Sequence, residues 1–230
     1  MRMIAMLHYG SLSAKYVAIF FHGHGQSASN ARSLFKKSIG CDLFHAMLST
    51  YVFFFPNHTW FHYLNDTTFE YDKQSLHKTR RAWHKYIDKI RGTYNHVVLI
   101  GYSQGACTAV DIALTYTKHA IPVFSISGFV MSSQMVKNGE TYHENGMLIY
   151  TAHGKYDSII PLSFAKKSYR LLYNKSSNRN SQTQTSAIIT KKKHVELRYD
   201  HWEFWEDAIF RRALFQFLND SSVELRSSVC

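Results

Sequence analysis

The chain has 230 residues, 45% of them apolar and 15% aromatic, which suits one sizeable buried core and excludes a disordered chain. Its formal net charge of +11 points towards polyanions, but the basic residues are scattered. The local clusters at 78–81, 166–167 and 191–193 do not interleave with aromatics as a base-stacking platform would. Nucleic acid is therefore not an expected partner, and a weak attraction to anionic membrane is. The three cysteines, Cys41, Cys107 and Cys230, include no Cys-x-x-Cys pair and read as free thiols, so the expected address is cytoplasmic. The apolar run in Met1–His8 is short for a signal peptide, and no stretch reaches the roughly 20 apolar residues of a transmembrane segment.

Apolar runs and helical periods alternate along the chain. Lys15–Phe21 reads as a strand ending at His22-Gly-His-Gly25, and Ser29–Met47 as a helix with a break near Gly40. Tyr51–Phe55 is the next strand, residues 58–72 an aromatic-rich loop, and Ser75–Ile90 an amphipathic helix with Leu76, Trp83, Tyr86, Ile87 and Ile90 inward. A strand at Val97–Ile100 leads through Gly101-Tyr-Ser-Gln-Gly105 into a helix reaching Lys118. Val123–Ser127 and Met147–Thr151 are strands, Ser163–Tyr173 a helix, and residues 174–186 a polar stretch without a period, read as a flexible surface insertion. Lys193–Tyr199 is the last strand. Glu206–Leu218 is the last helix, with Ile209, Phe210, Ala213, Leu214, Phe217 and Leu218 in one stripe. Such alternation predicts an α/β fold: a single domain over 1–230, its core at about 15–218, with a mostly parallel sheet covered by helices on both faces.

In such sheets the loops after the carboxyl ends of the strands build the active site. Ser103 sits at the corner of the strand–turn–helix, and glycines two residues away on each side allow the sharp turn. A serine hydroxyl needs a base and a group to orient that base. In chain order Ser, acid, His, the candidates are Asp157 after the strand at 147–151 and His201 between the last strand and last helix. Asp111, inside the helix after Ser103, points away. Asp200 is too close along the chain to His201, His194 falls at the wrong rim, and His153 precedes the acid. An oxyanion hole requires two backbone donors, assigned to the amides of Gln104 and His24. Trp60, Phe61 and Tyr63, with Phe69, are the candidate lining of an acyl channel. The 14 histidines include no His-Glu-x-x-His, so a catalytic metal is not expected.

Five blocks together resemble the phospholipase/carboxylesterase group of α/β-hydrolases, which includes the acyl-protein thioesterases. They are Phe21-His-Gly-His-Gly25, Phe55-Pro-Asn57, Gly101-Tyr-Ser-Gln-Gly-Ala106, His153-Gly-Lys-Tyr-Asp157 with Ile160-Pro161, and Tyr199-Asp-His201 before a final helix. The resemblance implies an α/β-hydrolase fold, Ser103 as nucleophile, Asp157 as orienting acid, His201 as base, His24 and Gln104 as oxyanion donors, and no cofactor. The chain departs from the family pattern at Gln26, where an aspartate is usual, after Asn57, and in the short approach Tyr199-Asp200 to the histidine. The expected activity is hydrolysis of carboxylic esters or thioesters through an acyl-enzyme, acting on a small molecule, a lipid or an acylated protein. The alternatives are a general carboxylesterase of unrelated small substrates, and an inactive hydrolase fold that binds partners through its basic surface.

Overall fold

Runs rich in β-branched and aromatic residues form strands because those side chains pack well on a pleated surface, and burial on both faces removes any alternation from the pattern. The structure, a computed structural model, describes residues 7–10, 16–47, 50–94, 96–131, 147–174 and 191–227. In chain order the elements are β1 (Leu7–Gly10), β2 (Tyr16–Phe21), α1 (Ala28–Met47), β3 (Thr50–Phe54), β4 (Tyr63–Asn65), β5 (Glu70–Tyr71), α2 (Lys73–Arg91), β6 (His96–Tyr102), α3 (Gln104–Thr115), β7 (Val123–Ile126), β8 (Leu148–Gly154), α4 (Leu162–Asn174), β9 (Lys191–Leu197) and α5 (Ala208–Ser227).

Seven strands form one sheet in the order β1-β3-β2-β6-β7-β8-β9. Every pairing from β3 to β9 is parallel, and β1 alone runs antiparallel, at the edge beside β3. Helices cover both faces. On one side α2, α3 and α4 bury Leu76, Trp83, Ile87, Val110, Ala165 and Leu172 against Ile19, Phe53, Leu99 and Ile149. On the other, α1 and α5 bury Phe35, Phe210, Leu214 and Phe217 against Phe20, Phe54, Ile100 and Phe124. Asp72 caps α2 by accepting the Gln74 and Ser75 N–H groups at 2.9 and 3.2 Å, which stabilises the helix by about 1 kcal/mol.

Several boundaries differ from the sequence reading. The backbone of α1 runs through Gly40 without the expected break. The aromatic loop contains a small antiparallel pair, β4 with β5, too short to leave a period in the sequence. Strand β8 extends to Gly154, so His153 lies inside it, and His194 sits in the middle of β9 opposite Thr151 rather than at a rim. Ile209 is 54% exposed and drops out of the buried stripe of α5. Asn174 closes α4, and the rest of the expected insertion lies outside the described residues. Among the described residues no helix is long and apolar enough to cross a membrane.

Candidate active site

The chain reverses at Ser103 between β6 and α3 with φ 54° and ψ −123°, a conformation that costs a non-glycine residue about 1–3 kcal/mol. The turn is possible only because its flanks carry no Cβ. A Cβ on Gly101 would lie 2.4 Å from the Gly105 carbonyl oxygen, and one on Gly105 only 2.1 Å from the Phe21 carbonyl oxygen. Glycine at both positions is thus a requirement of close backbone approach, between strand and helix and between helix and β2. The corner raises the Ser103 hydroxyl above the carboxyl edge of the sheet at the start of α3, where helix N–H groups lack intrahelical acceptors.

His201 and Asp157 reach this hydroxyl from two other loops. The Ser103 Oγ lies 2.9 Å from His201 Nε2, and His201 Nδ1 lies 2.7 Å from Asp157 Oδ2. A carboxylate only accepts, so Nδ1 carries the proton and Nε2 is left to receive one from the serine. Asp157 follows β8 by a short turn. Its Oδ1 accepts the N–H groups of Ile159 and Ile160 at 3.0 and 2.7 Å. Burial alone would raise its pKa. Hydrogen bonds from His153, His201 and the Ile160 amide outweigh burial and hold the carboxyl far below the usual carboxylate range.

The two loops are braced to each other. Asp200, set aside as an acid, accepts the main-chain N–H of His201 at 2.6 Å and the Ser158 N–H and Oγ–H at 2.8 and 2.9 Å. It therefore ties the loop of Asp157 to the loop of His201 through backbone. Its carboxyl is lowered by the Ser158 amide first and the His201 amide second. The Tyr102 hydroxyl donates to the His201 carbonyl at 3.0 Å, which anchors the same loop to the floor of the sheet. Asp111 does point away, into a buried pair in which Arg80 Nε and Nη2 donate to its two oxygens at 2.9 and 2.8 Å.

The glycine loop after β2 is held from both ends. The Gly23 N–H donates to Gln26 Oε1 at 2.9 Å, and the Gly25 N–H donates to the His58 carbonyl at 2.8 Å. No described residue accepts the His24 N–H between them, and His24 lines the same cleft as Ser103 and Gln104. The buried Gln104 side chain has a separate task, which the sequence did not indicate. Its Oε1 accepts from Thr59 Oγ1 and the Trp60 N–H at 3.0 and 3.1 Å, and its Nε2 donates to the Phe61 carbonyl at 2.9 Å. The turn residue thereby straps the 59–61 segment beside the nucleophile.

The cleft over Ser103 has a volume of about 840 Å³ and is walled by Tyr63, Leu64, Phe69, Ile159, Ile160 and Trp202. Tyr63 and Phe69 stand where the aromatic loop was expected to meet an acyl chain. Trp60 and Phe61 do not, which corrects that expectation. Trp60 is 2% exposed, packs edge-on to Phe21 and donates its indole N–H to the His22 carbonyl at 2.7 Å. Phe61 is 1% exposed and supports the hairpin through Tyr63 and Tyr71. The sequence reading missed Leu64, Ile159 and Trp202, all exposed at the mouth. Their only signal was adjacency: Leu64 follows Tyr63, Trp202 follows the base, and Ile159 follows the acid by two. Trp202 stands edge-on to the His201 ring, with centroids 4.8 Å apart. Among the described residues no group of three histidine, cysteine or acidic side chains is placed to hold a metal ion.

Similar architectures recur among known structures. The Bacillus cereus carboxylesterase matches with a TM-score of 0.70 at 16% identity, over 96% of this chain and 95% of that one. Arabidopsis thaliana SOBER1 matches at 0.68 and 16%, over 90% and 98%. Zea mays acyl-protein thioesterase 2 matches at 0.68 and 11%, over 94% and 98%. At these identities the likeness is one of fold. Curated protein sequences contain no match to the chain. The family model for phospholipase/carboxylesterase matches residues 4–198, most of the chain and all of the sheet. The protein is a hydrolase-fold member of the phospholipase/carboxylesterase family.

Proposed function

We propose that the protein cleaves carboxylic ester or thioester bonds through an acyl-enzyme on Ser103. The observation that carries this reading is the continuous relay from Ser103 Oγ to His201 Nε2 at 2.9 Å and from His201 Nδ1 to Asp157 Oδ2 at 2.7 Å, at the floor of an open cleft. His201 takes the hydroxyl proton as Oγ attacks the carbonyl carbon, and the carbonyl electron pair moves onto oxygen. The N–H groups of Gln104 and His24 stabilise that oxyanion. Collapse breaks the bond to the alcohol or thiol, which leaves with the proton from His201. A water molecule, deprotonated by His201, then releases the acid and restores Ser103. Asp157 fixes the imidazole tautomer and stabilises the imidazolium.

The apolar wall of Leu64, Phe69, Ile159 and Trp202 supports an acyl chain as the group held on Ser103, from a lipid, an acylated protein or a small ester. The net charge of +11 adds a weak attraction to anionic membrane, and the free thiol of Cys107 accords with a cytoplasmic address. The test compares p-nitrophenyl esters and acyl-thioesters of two to sixteen carbons. Activity that rises with chain length and disappears in Ser103→Ala is the expected result. Activity confined to acetyl substrates would favour a general carboxylesterase, and none on any substrate would favour a binding module.

A further inference from the structure

The sheet face beneath α4 changes character along its length. Val123 and Ile149 belong to the apolar core. Two residues further along, Ser125, Thr151 and His194 form one register row across β7, β8 and β9. Polar side chains inside a covered sheet cost free energy unless they are partnered. Tyr169 of α4 donates its hydroxyl to Ser125 Oγ at 2.5 Å, and Thr151 Oγ1 lies 2.6 Å from His194 Nδ1. Apolar residues would have closed the space. Instead a cavity of about 350 Å³ remains between this row and α4.

Its wall carries two cationic side chains and two imidazoles. Lys166 and Arg170 come from α4, His153 and His194 from the sheet, and no described carboxylate lines it. Lys166 engages Glu196, whose Oε1 also lies 3.7 Å from His194 Nε2, which leaves Arg170 as the cation of this wall without a carboxylate beside it among the described residues. His153 donates its Nε2–H to the Ile160 carbonyl at 2.7 Å, with Asp157 Oδ2 at 3.2 Å, so Nδ1 of the neutral ring is an acceptor and His153 serves as wall rather than as a donor. A guanidinium fork matches a planar or tetrahedral oxyanion, and with Thr151 donating to His194 Nδ1 the Nε2–H of His194 supplies a further contact. The volume is at the lower end for small-molecule sites. The cavity does not share the Ser103 cleft: none of its lining residues lines that cleft.

We infer that this cavity is a binding site for a small organic oxyanion, held by Arg170 with His194, and separate from the Ser103 cleft. The proposed hydrolysis neither uses this cavity nor explains it. His153 forms part of its wall and also touches Asp157, so the site stands one side chain behind the candidate acid.

Calorimetric titration of the Ser103→Ala protein with phenyl phosphate and with benzoate tests the site without reference to turnover. Saturable binding of at least one is expected, and the comparison tells which head group the site takes. Arg170→Ala in the same background should weaken that binding about tenfold or more, the usual loss of a charge-assisted bidentate contact. His194→Asn provides a second variant and should also weaken it. An unchanged thermal midpoint of both unliganded variants shows that folding is intact. No binding of either probe, or equal binding in both variants, would overturn the inference, since an anion seated at the Gln104 and His24 amides would be indifferent to Arg170.

Discussion

Asp157 offers one oxygen, Oδ2, to His201 Nδ1 at 2.7 Å, and both side chains are wholly excluded from solvent. A buried contact of that kind fixes both a tautomer and a charge. Replacing Asp157 with Asn removes the charge and favours the wrong tautomer, so kcat should fall by about 10³–10⁴-fold, measured on a p-nitrophenyl ester. Stability should respond to pH as well. The carboxyl is lowered in the folded protein, so its contribution is complete above the usual carboxylate range. It is lost as pH falls through that range towards the depressed folded value. Urea midpoints between pH 7 and pH 3 should therefore drop more steeply for the wild type than for Asp157→Asn.

His153 is a positioning residue for the same carboxylate, at 3.2 Å from Oδ2 and 2.7 Å from the Ile160 carbonyl. Its loss leaves Asp157 held by fewer donors and loosens the 157–160 turn. His153→Ala should lower kcat about tenfold with KM little changed, and His153→Gln, which retains a donor, should recover part of the loss. Equal losses in Ala and Gln variants would mark a packing role only.

The backbone strain at Ser103 is itself measurable. Glycine tolerates φ 54° and ψ −123° without a Cβ penalty, and alanine does not. Both Ser103→Gly and Ser103→Ala should be inactive, with the glycine variant more stable by about 1 kcal/mol in urea unfolding.

Gln104 should matter through its side chain for stability and through its amide for chemistry. Gln104→Ala keeps the amide and removes the contacts to Thr59, Trp60 and Phe61. The expected cost is about 2–3 kcal/mol in unfolding free energy, read from the urea midpoint, because buried main-chain groups lose their partners. KM should rise as the segment next to the cleft loosens.

Much of this architecture was legible because a few signals act locally. The apolar run, paired glycines and helical period around Ser103 all report on a turn whose sterics depend on residues 101–105 alone. Asp157 and His201 were readable as candidates because strand-end loops in a parallel sheet gather on one rim. What was not legible depends on contacts distant in sequence. Hydrophobicity does not tell a ring in the core, such as Trp60, from one in a cleft, such as Phe69. The continuity of α1 through Gly40 goes against a local preference of about 1 kcal/mol. The strap from Gln104 to residues 59–61 and the contact of His153 with Asp157 need register between elements, which no single segment encodes.

The central claim is that Ser103 is the nucleophile, and labelling with a fluorophosphonate probe followed by peptide mass spectrometry tests it most directly. One adduct, on the peptide bearing Ser103 and absent from Ser103→Ala, is the predicted result. An unlabelled wild type, or equal labelling of the alanine variant, would contradict it.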